Sequence, residues 1–218
     1  MLGQAEGVFT PKKETELMFD ESKRLAIKEK LIQEASEQGC NRVVEKTPSH
    51  IKYVEEIREL FPSAKFVMPV RDGRDVAASI MVRTGNINYG IDRWILDNQK
   101  VANFMNDEDV LVYRHEDLVS DQEQVLKKIC DFLEITFSKK LLNFHEKKEI
   151  WTGVQGNEKG SGIDGIEHNK LRSWQISQPV FNNSGRWKKD LDEKSKAILN
   201  DKLLSGSGKE LMKLFRYL

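Results

Sequence analysis

One stretch constrains the fold of this chain more than any other: Phe66 to Ser79, which reads FVMPVRDGRDVAAS. A short apolar run with β character (Phe66, Val67, Met68, Val70) meets a charged turn, Arg71-Asp72-Gly73-Arg74-Asp75, and apolar helix formers follow. That is the order of strand, tight turn and helix. Buried strands of parallel sheets read as continuous apolar runs, and open α/β sheets bind ligands beyond the carboxyl ends of such strands. Arg71 stands at that end. Asp72 suits the N-cap, and Asp75, three positions on, suits the return arm of a capping box. Unpaired N–H groups and the macrodipole draw anions to a helix start, and two arginines add full charges. The turn therefore has the makings of a phosphate receptor. It equally suits a plain strand-to-helix connection whose arginines pair with neighbouring carboxylates, and the stretch alone does not choose.

The 218 residues suffice for one sizeable core, and a single domain over 1–218 is expected. Lys+Arg and Asp+Glu both total 35, so no global basic excess argues for nucleic acid or a membrane surface, and any anion site must be local. Cys40 and Cys130 make no disulfide framework and read as reduced thiols, with Cys130 on an apolar helix face. No apolar run is long enough to span a membrane and no signal peptide opens the chain, so a cytoplasmic location is expected.

Taken in order, Glu21 to Gln38 predicts a helix with Leu25, Leu31, Ile32 and Ala35 on one side and Gly39 as its stop. Arg42 to Glu45 is a short strand running into EKTPSH, where Thr47 or Ser49 can cap a helix from about Ile51 to Phe61. Beyond the central stretch, Asn86 to Gly90 reads as a turn and Ile91 to Met105 as a helix with Trp94, Ile95, Val101, Ala102 and Met105 in phase. Asp109 to Tyr113 is a third strand, followed by the charged turn RHEDL and a helix from about Asp121 to Ile135. A shorter helix is expected over Ser138 to Phe144. Trp151 to Gly165 has five glycines in fifteen residues and no period, which predicts a mobile loop of the kind that often contacts substrate. A Gly-Arg turn then precedes a helix from about Asp192, and GKELMKLFRYL ends the chain as an amphipathic helix. Strands alternating with helices at this spacing argue for an α/β fold, a parallel sheet flanked by helices.

Three strand ends would present polar groups at one sheet edge: Lys46, Thr47 and His50 from the first, Arg71, Arg74 and Ser79 from the second, Arg114 and His115 from the third. Each alone is weak, since a lone lysine or histidine at a turn is usually solvated. Together they point to a binding edge.

These residues carry a resemblance. VEKTPSH, with RDGRDVAAS beginning twenty-five positions after its lysine, resembles the sulfotransferases that use 3′-phosphoadenosine-5′-phosphosulfate (PAPS). In that family an EK[ST]P segment leads through a strand to an R-D-P-R-D-V-like turn, with a serine eight residues after the first arginine. Arg71 and Ser79 have that spacing, which implies that they grip the 3′-phosphate of the nucleotide. A guanidinium with bidentate donors and a helix hydroxyl suit that task. KKETELMF resembles the segment whose glutamate, here Glu14, is the general base in heparan sulfate-type and related bacterial enzymes. SGRWKKDL resembles the late G-x-W-K segment that closes over the nucleotide, which implies cofactor contacts for Gly185, Arg186 and Trp187, with Lys188 beside them.

The implied fold is the P-loop NTPase-like sulfotransferase fold. The implied reaction is in-line sulfuryl transfer from PAPS to a hydroxyl or amine, with Lys46 supporting the leaving phosphate or the transferring group and His50 as an alternative base to Glu14. No metal is implied. A small-molecule or carbohydrate acceptor is expected, with a lipid headgroup and peptide tyrosine also fitting a base beside a mobile loop; the oligomeric state is open. The sequence departs from the family in three places. Gly73 replaces proline, which should loosen the turn, and His115 stands where relatives have tyrosine. The first central strand and its P-x-S-G-T-T loop have no counterpart, and by position would lie before Met1. LSGSGKELM is superficially P-loop-like but lacks the Walker spacing and follows no apolar strand, so it reads as a helix-capping turn. A non-catalytic nucleotide-binding remnant and a P-loop kinase relative stay open beside the transferase.

Overall fold

The computed structural model describes residues 8–9, 21–146 and 165–218. In chain order the elements are β1 (Val8–Phe9), α1 (Arg24–Glu37), β2 (Arg42–Val43), α2 (Val54–Leu60), β3 (Phe66–Val70), α3 (Gly73–Thr84), α4 (Ile87–Phe104), β4 (Val110–Arg114), α5 (His115–Ser120), α6 (Gln122–Phe132), α7 (Gly165–Ile176), α8 (Trp187–Asp190), α9 (Glu193–Leu203) and α10 (Gly206–Leu214). Short 3-10 segments cover Pro48–Lys52 and Lys139–Leu141. The chain divides into two compact units, one of Met1–Ala64 with Leu126–Pro179 and one of Lys65–Val125 with Val180–Leu218. Each holds a two-stranded parallel pairing, β1 with β2 in the first and β3 with β4 in the second. Parallel strands joined through helices are the expected α/β architecture.

In the first unit, α1 packs through Leu31 and Ala35, joined by Ile27, Cys40, Tyr53, Ile57, Leu60 and Phe61. The expected apolar side of α1 is corrected here: Leu25 and Ile32 are 65% and 51% exposed. Ile27, Leu31 and Ala35 recur every fourth residue and form one line along the helix, whereas Leu25 and Ile32 lie off it. Arg42 closes the end of α6 by donating from Nη1 to the Leu133 carbonyl at 2.6 Å and from Nη2 to that of Glu134 at 3.2 Å. The expected Thr47 or Ser49 cap is replaced by a 3-10 turn, and the Thr47 hydroxyl donates instead to Glu45 Oε1 at 2.6 Å.

In the second unit, β3 and β4 run in register from Phe66 opposite Val110 to Val70 opposite Arg114. Arg71 therefore leaves the sheet beside Arg114 and His115. Helix α4 starts four residues earlier than its expected start, because Asn86 is an N-cap whose Oδ1 accepts from Tyr89 N–H at 3.2 Å. Gly90, read from sequence as part of a turn, lies inside that helix: a Cβ there would come within 2.9 Å of the Ala77 Cα. The glycine allows α3 and α4 to cross closely, and α4 buries Ile87, Ile91, Trp94 and Val101 on that side. RHEDL is the start of α5 rather than a turn, and α7 was not foreseen. GSGK opens α10 as a helix start, with Ser205 at its N-cap, and a Cβ on Gly208 would collide with the Lys202 carbonyl. That glycine serves packing.

Candidate functional site

The β3–α3 turn is organised by three acidic residues, Asp72, Asp75 and Glu116. Asp72 caps α3, its Oδ1 accepting from Arg74 N–H at 2.8 Å, and the same carboxylate holds the Arg74 guanidinium at 2.9 and 2.7 Å. Arg74 also lies over the Trp187 ring at 5.2 Å and donates to the Tyr217 carbonyl at 3.3 Å. It is a structural cation here, a correction to its place among the converging phosphate ligands. Glu116 on α5 accepts from the Asp72 N–H at 3.1 Å.

Asp75 does not complete the expected capping box. Its side chain is fully buried and faces the segment before α8, where Oδ2 accepts from Gly185 N–H at 2.8 Å and Oδ1 from Trp187 N–H at 3.1 Å. Gly185 has φ of 78°, the left-handed region that glycine enters without steric cost. The two motifs read separately from sequence, Arg71…Ser79 and Gly185-Arg186-Trp187, thus meet at one carboxylate. Arg186 points elsewhere, pairing with Asp190 at 2.6 Å with half its side chain exposed.

Arg71 is left with the slack. Its Nη2 donates to the Asn183 carbonyl at 3.2 Å and stands 3.8 Å from Asp75, while its buried Nε has no hydrogen-bond partner among the described residues. A buried guanidinium N–H without an acceptor is costly unless something completes it. The Arg71 carbonyl is fixed by the Trp94 indole N–H at 2.9 Å. Trp94 also explains Gly73: a Cβ there would sit 2.8 Å from the indole Cδ2. The glycine that looked like a loosening of the turn is required by the ring above it. Ser79, one helical turn beyond Asp75 on α3, is exposed.

At the end of β4, Arg114 stacks on the Tyr217 ring at 4.6 Å, and its Nε too is buried without a partner among the described residues. Burial, and then the charge of Arg71, hold the His115 imidazole below its ordinary range, against the opposite pull of Glu116 and Asp75. In the first unit, His50 Nδ1 lies 2.9 Å from Glu45 Oε2, both side chains mostly buried, and His50 Nε2 has no partner among the described residues. Lys46 is exposed. Glu14 and the Trp151–Asp164 stretch lie outside the described residues. Among those described, no group of His, Cys, Asp and Glu is arranged to hold a metal ion, and no helix is long and apolar enough to cross a membrane.

Residues 6–139 match the model of the Sulfotransferase family. The chain belongs to that family. It is 30% identical over 118 residues to protein-tyrosine sulfotransferase A of Caenorhabditis elegans, 49% of this chain and 30% of that protein. It is 30% identical over 120 residues to the protein-tyrosine sulfotransferase of Drosophila melanogaster, 48% of this chain and 23% of that protein. A putative protein-tyrosine sulfotransferase of Caenorhabditis briggsae is 26% identical over 116 residues, 48% of this chain and 41% of its own length. The chain spans less than half the length of each of these relatives. The fold is that of solved members. The sulfotransferase domain from the curacin biosynthetic pathway superposes with a TM-score of 0.52 at 21% identity, over 87% of this chain and 68% of that one. Mouse sulfotransferase SULT7A1 complexed with PAP superposes with a TM-score of 0.57 at 12% identity, over 98% and 80%.

Several residues around the turn escaped the sequence. Asp75 has the spacing of a local cap, Trp94 reads only as part of a helix's apolar face, and neither Glu116 nor Tyr217 reads as a partner of the turn. Glu116 had a signal, an acidic first turn right after a strand end. Trp94 and Tyr217 had none, since nothing in a helix pattern says which distant turn its aromatic residue will cover.

Proposed function

We propose that the protein transfers a sulfuryl group from PAPS to a hydroxyl or amine, with Arg71 and Ser79 gripping the 3′-phosphate. The observation that carries this is the Arg71 guanidinium, half-buried at the start of α3 with its Nε unpaired among the described residues. Asp72 is taken by Arg74 and Asp75 by two backbone N–H groups, so the turn's acids are occupied and Arg71 can turn its fork to an anion. An unpaired guanidinium N–H of this kind suits the 3′-phosphate end of that donor. When bound, PAPS supplies a sulfur that bonds to the acceptor oxygen or nitrogen as its bond to the 5′-phosphate oxygen breaks in line.

Glu14 takes the acceptor proton and Lys46 stabilises charge on the departing phosphate, as the family resemblance assigns them. Gly185, Arg186 and Trp187 border the nucleotide, and Asp75 ties their backbone to the turn that holds Arg71. A second reading for the base rests on His50, whose Nδ1 is oriented by Glu45 and whose Nε2 is left to accept a proton. The relatives named protein-tyrosine sulfotransferases favour a phenolic hydroxyl on a protein as acceptor over a small molecule or carbohydrate. The test is retention on immobilised adenosine 3′,5′-bisphosphate. Arg71→Ala should weaken it by roughly one to two orders of magnitude, the worth of a charge-assisted contact; unchanged retention would remove the pocket assignment.

A further inference from the structure

The residues that follow α10 fold back onto the β3–α3 turn. Arg216 adopts a left-handed backbone, φ 60°, which a non-glycine residue enters only at a cost. That conformation closes α10, with Arg216 N–H bonding the Lys213 carbonyl at 2.9 Å and Tyr217 N–H the Met212 carbonyl at 2.7 Å, and turns Tyr217 inward. The Tyr217 hydroxyl donates to Glu116 Oε2 at 2.8 Å, and Glu116 Oε1 accepts from the Asp72 N–H at 3.1 Å. The Tyr217 carbonyl accepts from Arg74, its ring lies under Arg114, and Arg216 stands 3.6 Å from Asp117. Burial, then the bond to Glu116, raises the phenol far above its ordinary range, so it stays a neutral donor. Beyond the two backbone bonds, these contacts end on the turn, on the strand end beside it or on the first turn of α5. None is needed to cap α10, which its own backbone bonds already close.

We propose that Tyr217 is a positioning residue for nucleotide recognition: its hydroxyl fixes Glu116, Glu116 fixes the Asp72 amide, and that peptide sets where Arg71 meets the 3′-phosphate. This rests on the function proposed above. Tyr217→Phe removes only the hydroxyl and keeps the ring on Arg114. Glu116→Asp keeps the charge and both acceptor oxygens but is one methylene too short to bridge Asp72 and Tyr217, and it carries the test if Tyr217→Phe does not fold. Adenosine 3′,5′-bisphosphate and adenosine 5′-monophosphate are titrated calorimetrically into the full chain and each variant. The expected result is a several-fold loss of affinity for the bisphosphate in both variants, with the monophosphate, which lacks the 3′-phosphate, bound as before. Equal losses on both nucleotides would mark a merely structural role and overturn the proposal, as would wild-type affinities in the variants. A wild-type chain that does not prefer the bisphosphate overturns the nucleotide assignment itself, and the positioning role with it.

Discussion

The Asp75 carboxylate, on the first turn of α3, accepts the backbone N–H of Gly185 at 2.8 Å across 110 residues of sequence. With Trp187 N–H on its other oxygen, it is a buried acid satisfied almost entirely by main chain. Such a group holds two segments in one geometry while leaving side chains nearby free to bind. Asp75→Ala should strand both N–H groups at about 1–3 kcal/mol each, giving a clear drop in urea midpoint together with weaker adenosine bisphosphate binding. Asp75→Asn, which keeps one acceptor oxygen, should lose less of both.

The packing of Gly73 beneath Trp94 makes the family's proline unwelcome. Gly73→Ala should destabilise by about 1–3 kcal/mol through overpacking against the indole, read by equilibrium unfolding. Gly73→Pro should cost at least as much. In the Trp94→Leu background the penalty of Gly73→Ala should shrink, because the ring that collides is gone; an unchanged penalty would show that the strain lies in the backbone instead.

His115 sets an acid limb. Its folded pKa is depressed, first by burial and then by Arg71, so the unfolded chain takes up the proton more readily than the folded one. Stability from this group is therefore intact above the ordinary histidine value and falls as pH drops from there through the depressed folded value. Melting temperatures between about pH 7.5 and 5 should fall less steeply in His115→Gln than in the parent chain. A parallel slope in the two proteins would assign the acid limb to other groups.

The two candidate bases are separable in turnover. Glu14→Gln is expected to lower kcat about a hundredfold or more with adenosine bisphosphate affinity unchanged, the size of a general-base contribution. His50→Asn should then cost far less. The reverse order would transfer the role to His50, and in that case Glu45→Gln, which loosens the imidazole's orientation, should also lower kcat.

Much of the β3–α3 turn was legible in the sequence where the cause is local. The apolar run of β3, the Asp72 cap and the Arg71–Ser79 spacing depend on residues within a few positions of one another, and the structure places strand, cap and helix as the pattern required. Cys130 is buried on its helix face for the same reason. Expectations went astray where a residue has one local use and a different distant one. Gly90 looks like a turn residue, but it is a helix residue because Ala77 needs the space of a Cβ. Asp75 has capping-box spacing, yet its carboxylate gains more from two N–H groups brought to it by a chain segment more than a hundred residues later.

By itself the sequence determined the family, the strand-turn-helix unit and which arginine begins it, because helix capping and side-chain periodicity are short-range. Only the tertiary structure decided what each charge in that unit does. A carboxylate takes the best donors within about 3 Å, and which donors those are depends on how distant segments pack. Here Asp72 takes Arg74, Asp75 takes the backbone at Gly185 and Trp187, and Glu116 is held by Tyr217, which leaves Arg71 as the guanidinium of that turn with a buried N–H still unpaired among the described residues.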